Sequence, residues 1–92
     1  MTFEWDEAKS RRNVRKHGYS FRDARKVFEG VYLEVEDDRE DYGEPRYLVF
    51  GLLKGNVVVV CYTPRGEDTY RIISMRKGNR YETDAYYQYA GF

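Results

Sequence analysis

Ninety-two residues with 41% hydrophobic and 17% aromatic side chains describe one small folded domain, residues 1–92, and exclude a disordered chain despite 35% charged residues. The longest apolar run, Val57 to Tyr62, has six residues, where a membrane-crossing helix needs about 20. One cysteine and one histidine allow neither an internal disulfide nor a His/Cys zinc cage, and no secretory signal opens the chain, a profile that predicts a cytoplasmic protein. Sixteen basic and sixteen acidic residues cancel, yet they are segregated: residues 1–30 carry +3, 31–45 carry −6, 46–80 carry +5 and 81–92 carry −2. Such blocks either face solvent and pair with each other, or present a positive cleft to a phosphate backbone.

In chain order, Phe3-Glu4-Trp5 alternates as a short first strand. Asp6 caps a helix that runs to His17, and Gly18 supplies the positive φ that ends it. Ser20 starts a second helix, with Asp23 at its third position and Phe21, Ala24, Val27 and Phe28 on one face; Gly30 stops it. From Val31 the period changes to two. Residues 31–35 form a strand that dissolves into the acidic loop 36–43. Residues 46–53 and 56–63 form a hairpin about Lys54-Gly55, and the unbroken Val57–Val60 run marks a central strand covered on both faces. Residues 64–67 make a turn, 68–76 a last strand, and 79–89 a closing helix capped by Asn79 with Glu82 three residues on. The order β-α-α-β-β-β-β-α with short connections predicts an α+β domain, an antiparallel sheet flanked by helices.

The chemistry open to this chain is narrow. The seven carboxylates between Glu34 and Glu44 lack the calcium-loop spacing and its glycine, and read as a solvated loop; no metal is assigned. Cys61 lies in the most apolar strand, where a thiol is inert core, and neither a nucleophile elbow nor a phosphate-cradling glycine loop occurs. That leaves acid/base work and arginine, with no cofactor. Histidine is the residue type suited to proton transfer near neutral pH, and His17 serves either as proton donor or as a cap on the first helix. Glu44 and Arg46 straddle Pro45; Arg71 and Arg76 flank an apolar run, with Arg65 in the preceding turn. A guanidinium cannot shed its charge, so these arginines need anions, from salt bridges or from phosphate. Strict alternation places Arg71 and Arg76 on opposite faces, and only a bulge or an early strand end brings them together. Tyr81, Tyr86, Tyr87, Tyr89 and Phe92 crowd a tail of negative charge, which favours packing on the sheet and on a protein partner over stacking on bases.

Phe3-Glu4-Trp5-Asp6, Lys9, Asn13, Lys16-His17-Gly18, Ser20-Phe21, Ala24, Gly43-Glu44, Arg46, Tyr62-Thr63, Arg65, Arg71-Ile72-Ile73-Ser74, Arg76, Arg80, Glu82 and Tyr86 together resemble the BrnT family of bacterial type II toxins. The resemblance covers most of the chain; Gly78 stands where the family often has Ala. It implies a RelE-like fold and metal-independent endoribonuclease activity that inhibits translation. It further implies a BrnA-type antitoxin with a ribbon-helix-helix part, forming a hetero-oligomer that binds operator DNA. On that implication Glu44 or His17 is the base and His17 the acid. Arg46, Arg71 and Arg76 hold the phosphate, and Lys16, Tyr62, Arg65 and Arg80 contact RNA. The same arginines and tyrosines would also serve a non-catalytic module that binds RNA or the ribosome, or a partner in a repressor complex, in which His17 and Glu44 are dispensable.

Overall fold

The computed structural model describes residues 1–91; Phe92, counted above among the tail aromatics, lies outside the described residues. The elements are β1 (Thr2–Glu4), α1 (Glu7–His17), a 3₁₀ turn (Phe21–Asp23) leading into α2 (Ala24–Glu29), β2 (Tyr32–Glu36), β3 (Tyr47–Leu53), β4 (Asn56–Arg65), β5 (Thr69–Lys77) and α3 (Arg80–Ala90). The expected order is therefore present. The five strands form one sheet in the order β1-β5-β4-β3-β2. One departure from the expected antiparallel sheet is that β1 pairs with β5 in parallel, Thr2 opposite Thr69 and Glu4 opposite Arg71. The crossover from β1 to its parallel neighbour is the whole of the intervening chain, so the periodicity of a three-residue strand held no trace of it.

Local chemistry sets the ends of these elements. The Asp6 carboxylate accepts from the Lys9 N–H, and Gly18 at φ 83° donates its N–H to the Val14 carbonyl. Ser20 accepts from the Arg22 N–H, but the turn it opens is 3₁₀ for three residues before α2 begins. Asn79 and Glu82 form a full capping box at the head of α3. Lys54 and Gly55 both adopt positive φ, 53° and 82°, as a two-residue hairpin requires.

The sheet is buried on both faces. On one, Val49, Val58, Val60, Tyr62, Ile72 and Met75 meet Phe21, Ala24, Val27 and Phe28 of the helical segment. Closeness is extreme at Gly51, where an added Cβ would lie 2.7 Å from Val27 Cγ1. On the other face, Phe50, Val57 and Val59 pack against Tyr86 of α3. β4 is thus central and doubly covered, which accounts for its unbroken valines.

β5 departs from regular pairing at one place. Cys61 faces Ser74 and Tyr62 faces Ile72, so Ile73 has no partner on β4 and bulges. Beyond Arg71, β5 has also outrun the short β1. Asn13 of α1 takes the place of the missing strand: its amide donates to the Met75 carbonyl at 2.9 Å and its oxygen accepts the Met75 N–H at 3.2 Å. The same amide donates to the Tyr19 carbonyl at 2.8 Å, and the neighbouring Ser10 hydroxyl accepts the Phe21 N–H. Asn13→Ala would leave the Met75 N–H and carbonyl and the Tyr19 carbonyl without this partner, a loss of about 3 kcal/mol. Urea unfolding should report that loss, whereas Arg11→Ala on the exposed side of α1 should stay within about 0.5 kcal/mol of the parent.

Candidate active site

Side chains of β4 alternate between the two faces: Val58, Val60 and Tyr62 point to α1 and α2, whereas Val57, Val59, Cys61 and Thr63 point to the α3 side. The cross-strand partners of that second set are Arg76 opposite Val59, Ser74 opposite Cys61, and Arg71 opposite Thr63. Arg71 and Arg76 therefore share the α3 face, because the bulge at Ile73 inserts the one residue that alternation needs. Ile72 and Met75 correspondingly share the opposite core.

α3 covers only part of this face. The rest is flanked by the segment between β2 and β3, which brings Glu44 and Arg46 alongside the end of β4. Glu44 accepts from Arg46 Nε at 3.2 Å, and its other oxygen lies 3.7 Å from Arg65. Thr63 donates to the Pro45 carbonyl at 2.6 Å and fixes this segment to β4. Arg46 also lies over the Tyr42 ring, 4.0 Å from its centroid. Arg71 donates one Nη to Glu4 of β1 at 2.8 Å. Arg76 is more committed: both Nη atoms bind Glu82, at 2.7 and 2.8 Å, and Glu82 in turn completes the cap of α3.

Two residues of this neighbourhood were not singled out from the sequence. Within the acidic loop Asp37 is buried, its side chain 1% exposed, and receives a bidentate pair from Arg39 and a hydrogen bond from Tyr42. The loop is folded around that ion pair and is not a string of solvated acids. A lone basic residue amid seven acids was the available signal. Among the described residues no three His, Cys, Asp or Glu side chains converge as a set that could hold a metal ion.

The remaining expected residues are dispersed. His17 ends α1 exposed, makes no side-chain hydrogen bond among the described residues, and lines a groove at the β5 edge with Lys16, Ile73 and Ser74. It does not bond the last helix carbonyls, so its imidazole is not the cap; Gly18 fills that role. Arg80, its side chain 96% exposed at the head of α3, lies 3.9 Å from Asp84 and pairs with no other carboxylate among the described residues. Tyr62 is a correction. It lies on the core face, 4% exposed, stacked on Tyr70 at 4.5 Å and on Tyr47 at 5.5 Å, with its hydroxyl donating to Glu34. No ring face is left for a base, and burial holds its phenol well above the usual range. Burial likewise pushes the Cys61 thiol up, as inert core demands. In the tail, Tyr86 is buried and donates to the Val31 carbonyl, while Tyr81 and Tyr89 are exposed. No helix among the described residues is long and apolar enough to cross a membrane.

A family model described as the ribonuclease toxin BrnT of a type II toxin–antitoxin system matches residues 5–82. The chain belongs to the BrnT family. Its fold is similar to the crystal structure of the Brucella abortus ribonuclease toxin BrnT, at 26% identity and a TM-score of 0.64, over 87% of this chain and 99% of that one. No curated protein sequence matches the chain. The BrnT match spans β4, β5 and the first turn of α3, the elements that carry Arg71, Arg76 and Glu82.

The ion pairs of this BrnT-family site leave a signature in acid. Hydrogen bonds from Arg76 hold the Glu82 carboxyl below its ordinary value of 4.5, and those from Arg39 hold Asp37 below 3.8. Carboxylates depressed by folding stabilise the native state above their unfolded values, and that stabilisation is lost as pH falls through the folded ones. Stability should therefore begin to drop near pH 4.5 and continue falling below 3.8. A Glu82→Gln, Asp37→Asn double variant should be less stable at neutral pH and show a flatter decline in acid, measured by urea midpoints across that range.

Proposed function

We propose that this chain cleaves RNA without a metal ion, using the ribose 2′-hydroxyl as nucleophile on the adjacent phosphate, and that the α3-side arginine face binds the reacting group. The reaction requires removal of the 2′ proton, stabilisation of a doubly charged phosphorane, and protonation of the leaving 5′ oxygen. Arg71, Arg46 and Arg65 are suited to the phosphorane. Each is partly exposed and each makes a single contact to a carboxylate, leaving further guanidinium donors to turn toward phosphate. Arg76 contributes charge but mainly secures α3 through its bidentate pair with Glu82.

In this reading Glu44, which reaches both Arg46 and Arg65, accepts the 2′ proton, and His17, which lines a groove with Ser74 at the β5 edge, protonates the leaving group. The observation that carries the proposal is the bulge at Ile73, which puts Arg71 and Arg76 of β5 on one face, beside Arg65 of β4. The antitoxin is of the BrnA type, with a ribbon-helix-helix part, and the hetero-oligomer binds operator DNA. It neutralises by covering the arginine face and the exposed tail tyrosines, so that RNA and antitoxin compete.

RNA incubated with the purified chain in EDTA should yield fragments ending in 2′,3′-cyclic phosphate. Removing a donor aimed at developing charge lowers rate by about 10²–10³ in well-studied enzymes; Arg71→Ala and Arg46→Ala should each lower cleavage at least about tenfold with the fold intact. Full cleavage by both variants would remove the phosphate assignment, and RNA binding without any cleavage would favour a non-catalytic module. His17→Gln should lower cleavage more than RNA affinity, because a proton donor acts in the transition state. Normal cleavage by that variant would remove His17 from the mechanism.

A further inference from the structure

The arginine face and α1 treat their charges differently. Arg39, Arg46, Arg65, Arg71 and Arg76 are all paired with carboxylates. α1 carries Lys9, Arg11, Arg12, Arg15 and Lys16 against a single Glu7, and none of these five cations has an ion-pair partner among the described residues. Glu7 is itself taken by the Trp5 indole N–H; Asp6 accepts from the Lys9 N–H at the helix N-terminus, and its charge acts on Lys9 and Arg12 without reaching ion-pair distance.

Three of the five are gathered by helical spacing. Lys9, Arg12 and Lys16 recur at three and four residues, so with Asn13 and His17 they occupy one face of the helix. That face walls an open groove of about 400 Å³ whose other side is Ile73 and Ser74 of β5. The opposite wall is the bulge itself. Asn13 spends its amide on Met75 and Tyr19, which leaves the groove with cations, one hydroxyl and a small apolar floor. Ser74 faces Cys61 across the strands and so belongs to the same sheet face as Arg71 and Arg76. Ser74 is thus the residue that the groove shares with the arginine face, at the β5 edge.

We propose that this groove is a second RNA-backbone site, in which Lys9, Arg12 and Lys16 bind phosphates flanking the one held on the arginine face. The inference rests on the RNA-cleaving reading of that face and deepens it. Unpaired cations favour a phosphate chain here because no internal ion pair must be broken. Each phosphate neutralised releases condensed counterions, so the affinity gained is salt-dependent and indifferent to base sequence.

The test is fluorescence anisotropy with a labelled 2′-O-methyl oligonucleotide, which lacks the nucleophile and reports binding independently of cleavage. Two charge-matched variants are compared with the parent chain: Lys9→Gln/Arg12→Gln in the groove, and Arg11→Gln/Arg15→Gln on the other side of α1. All four residues are exposed or lie at the surface of α1, so both variants should melt like the parent. The groove pair should reduce the slope of log affinity against log salt by about 1.4, the value for two single-strand phosphate contacts, and the outer pair by clearly less. Equal slope changes in the two variants would show a diffuse helix field and overturn the groove, as would an unchanged slope or a parent chain that fails to bind the oligonucleotide. Loss of affinity for an acidic peptide with no change for the oligonucleotide would assign the groove to a protein partner and overturn the proposal too. A groove-specific slope change in a chain that never cleaves RNA would sustain the second site and defeat only the catalytic reading.

Discussion

A side-chain amide holds this sheet together where a strand is missing. β1 stops opposite Arg71, and the remaining length of β5 would present bare N–H and C=O groups at a sheet edge, which invites pairing with another chain. Asn13 offers a donor and an acceptor in the geometry of a peptide unit and satisfies both groups of Met75. Helix α1 is thereby fixed along the edge, and through the Tyr19 carbonyl so is the turn that follows it. The position of Met75 in the core, the bulge just before it, and the groove between α1 and Ile73 all follow from this attachment. An aspartate could accept at that site but not donate, and a leucine could do neither.

The bulge and the ion pairs together explain how a chain of zero net charge can concentrate cations. Carboxylates from three separate elements, Glu4 of β1, Glu44 of the β2–β3 segment and Glu82 of α3, reach into the arginine face. They keep the guanidinium groups oriented and lower the penalty of crowding like charges. Anion binding there is an exchange of one partner for another. A dianionic phosphorane gains more from the exchange than a monoanionic phosphodiester does, which is the bias a catalyst needs. Along α1 no exchange is needed, and the cations are held in water.

Local features were legible in the sequence and long-range ones were not. Asp6 and Gly18 bracket α1, Asn79 and Glu82 open α3, and Lys54-Gly55 turns the hairpin, because each of these depends on neighbours a few residues away. The valines of β4 announced a central strand for the same reason. Parallel pairing of β1, the unpaired Ile73 and the Asp37–Arg39 pair depend on partners or surroundings that only the folded chain brings together. The arginines could be named from their setting in apolar strands, but whether they shared a face hung on one inserted residue. Tyr62 was assigned to RNA on the family resemblance alone, which does not say which face of the strand a residue takes. It is in phase with Val58 and Val60, not with the arginines.

The pairing of β1 with β5 has a bearing on how the protein is made. Glu4 and Arg71 stand 67 positions apart in the chain, so β1 waits for β5. Long-range parallel pairing is slow to form, because the loop must close before any contact rewards it. Arg76 and its partner Glu82 emerge later still. A chain that stops short of β5 lacks Arg71 and Arg76 altogether, and one that stops short of α3 leaves Arg76 without the Glu82 carboxylate that orients it.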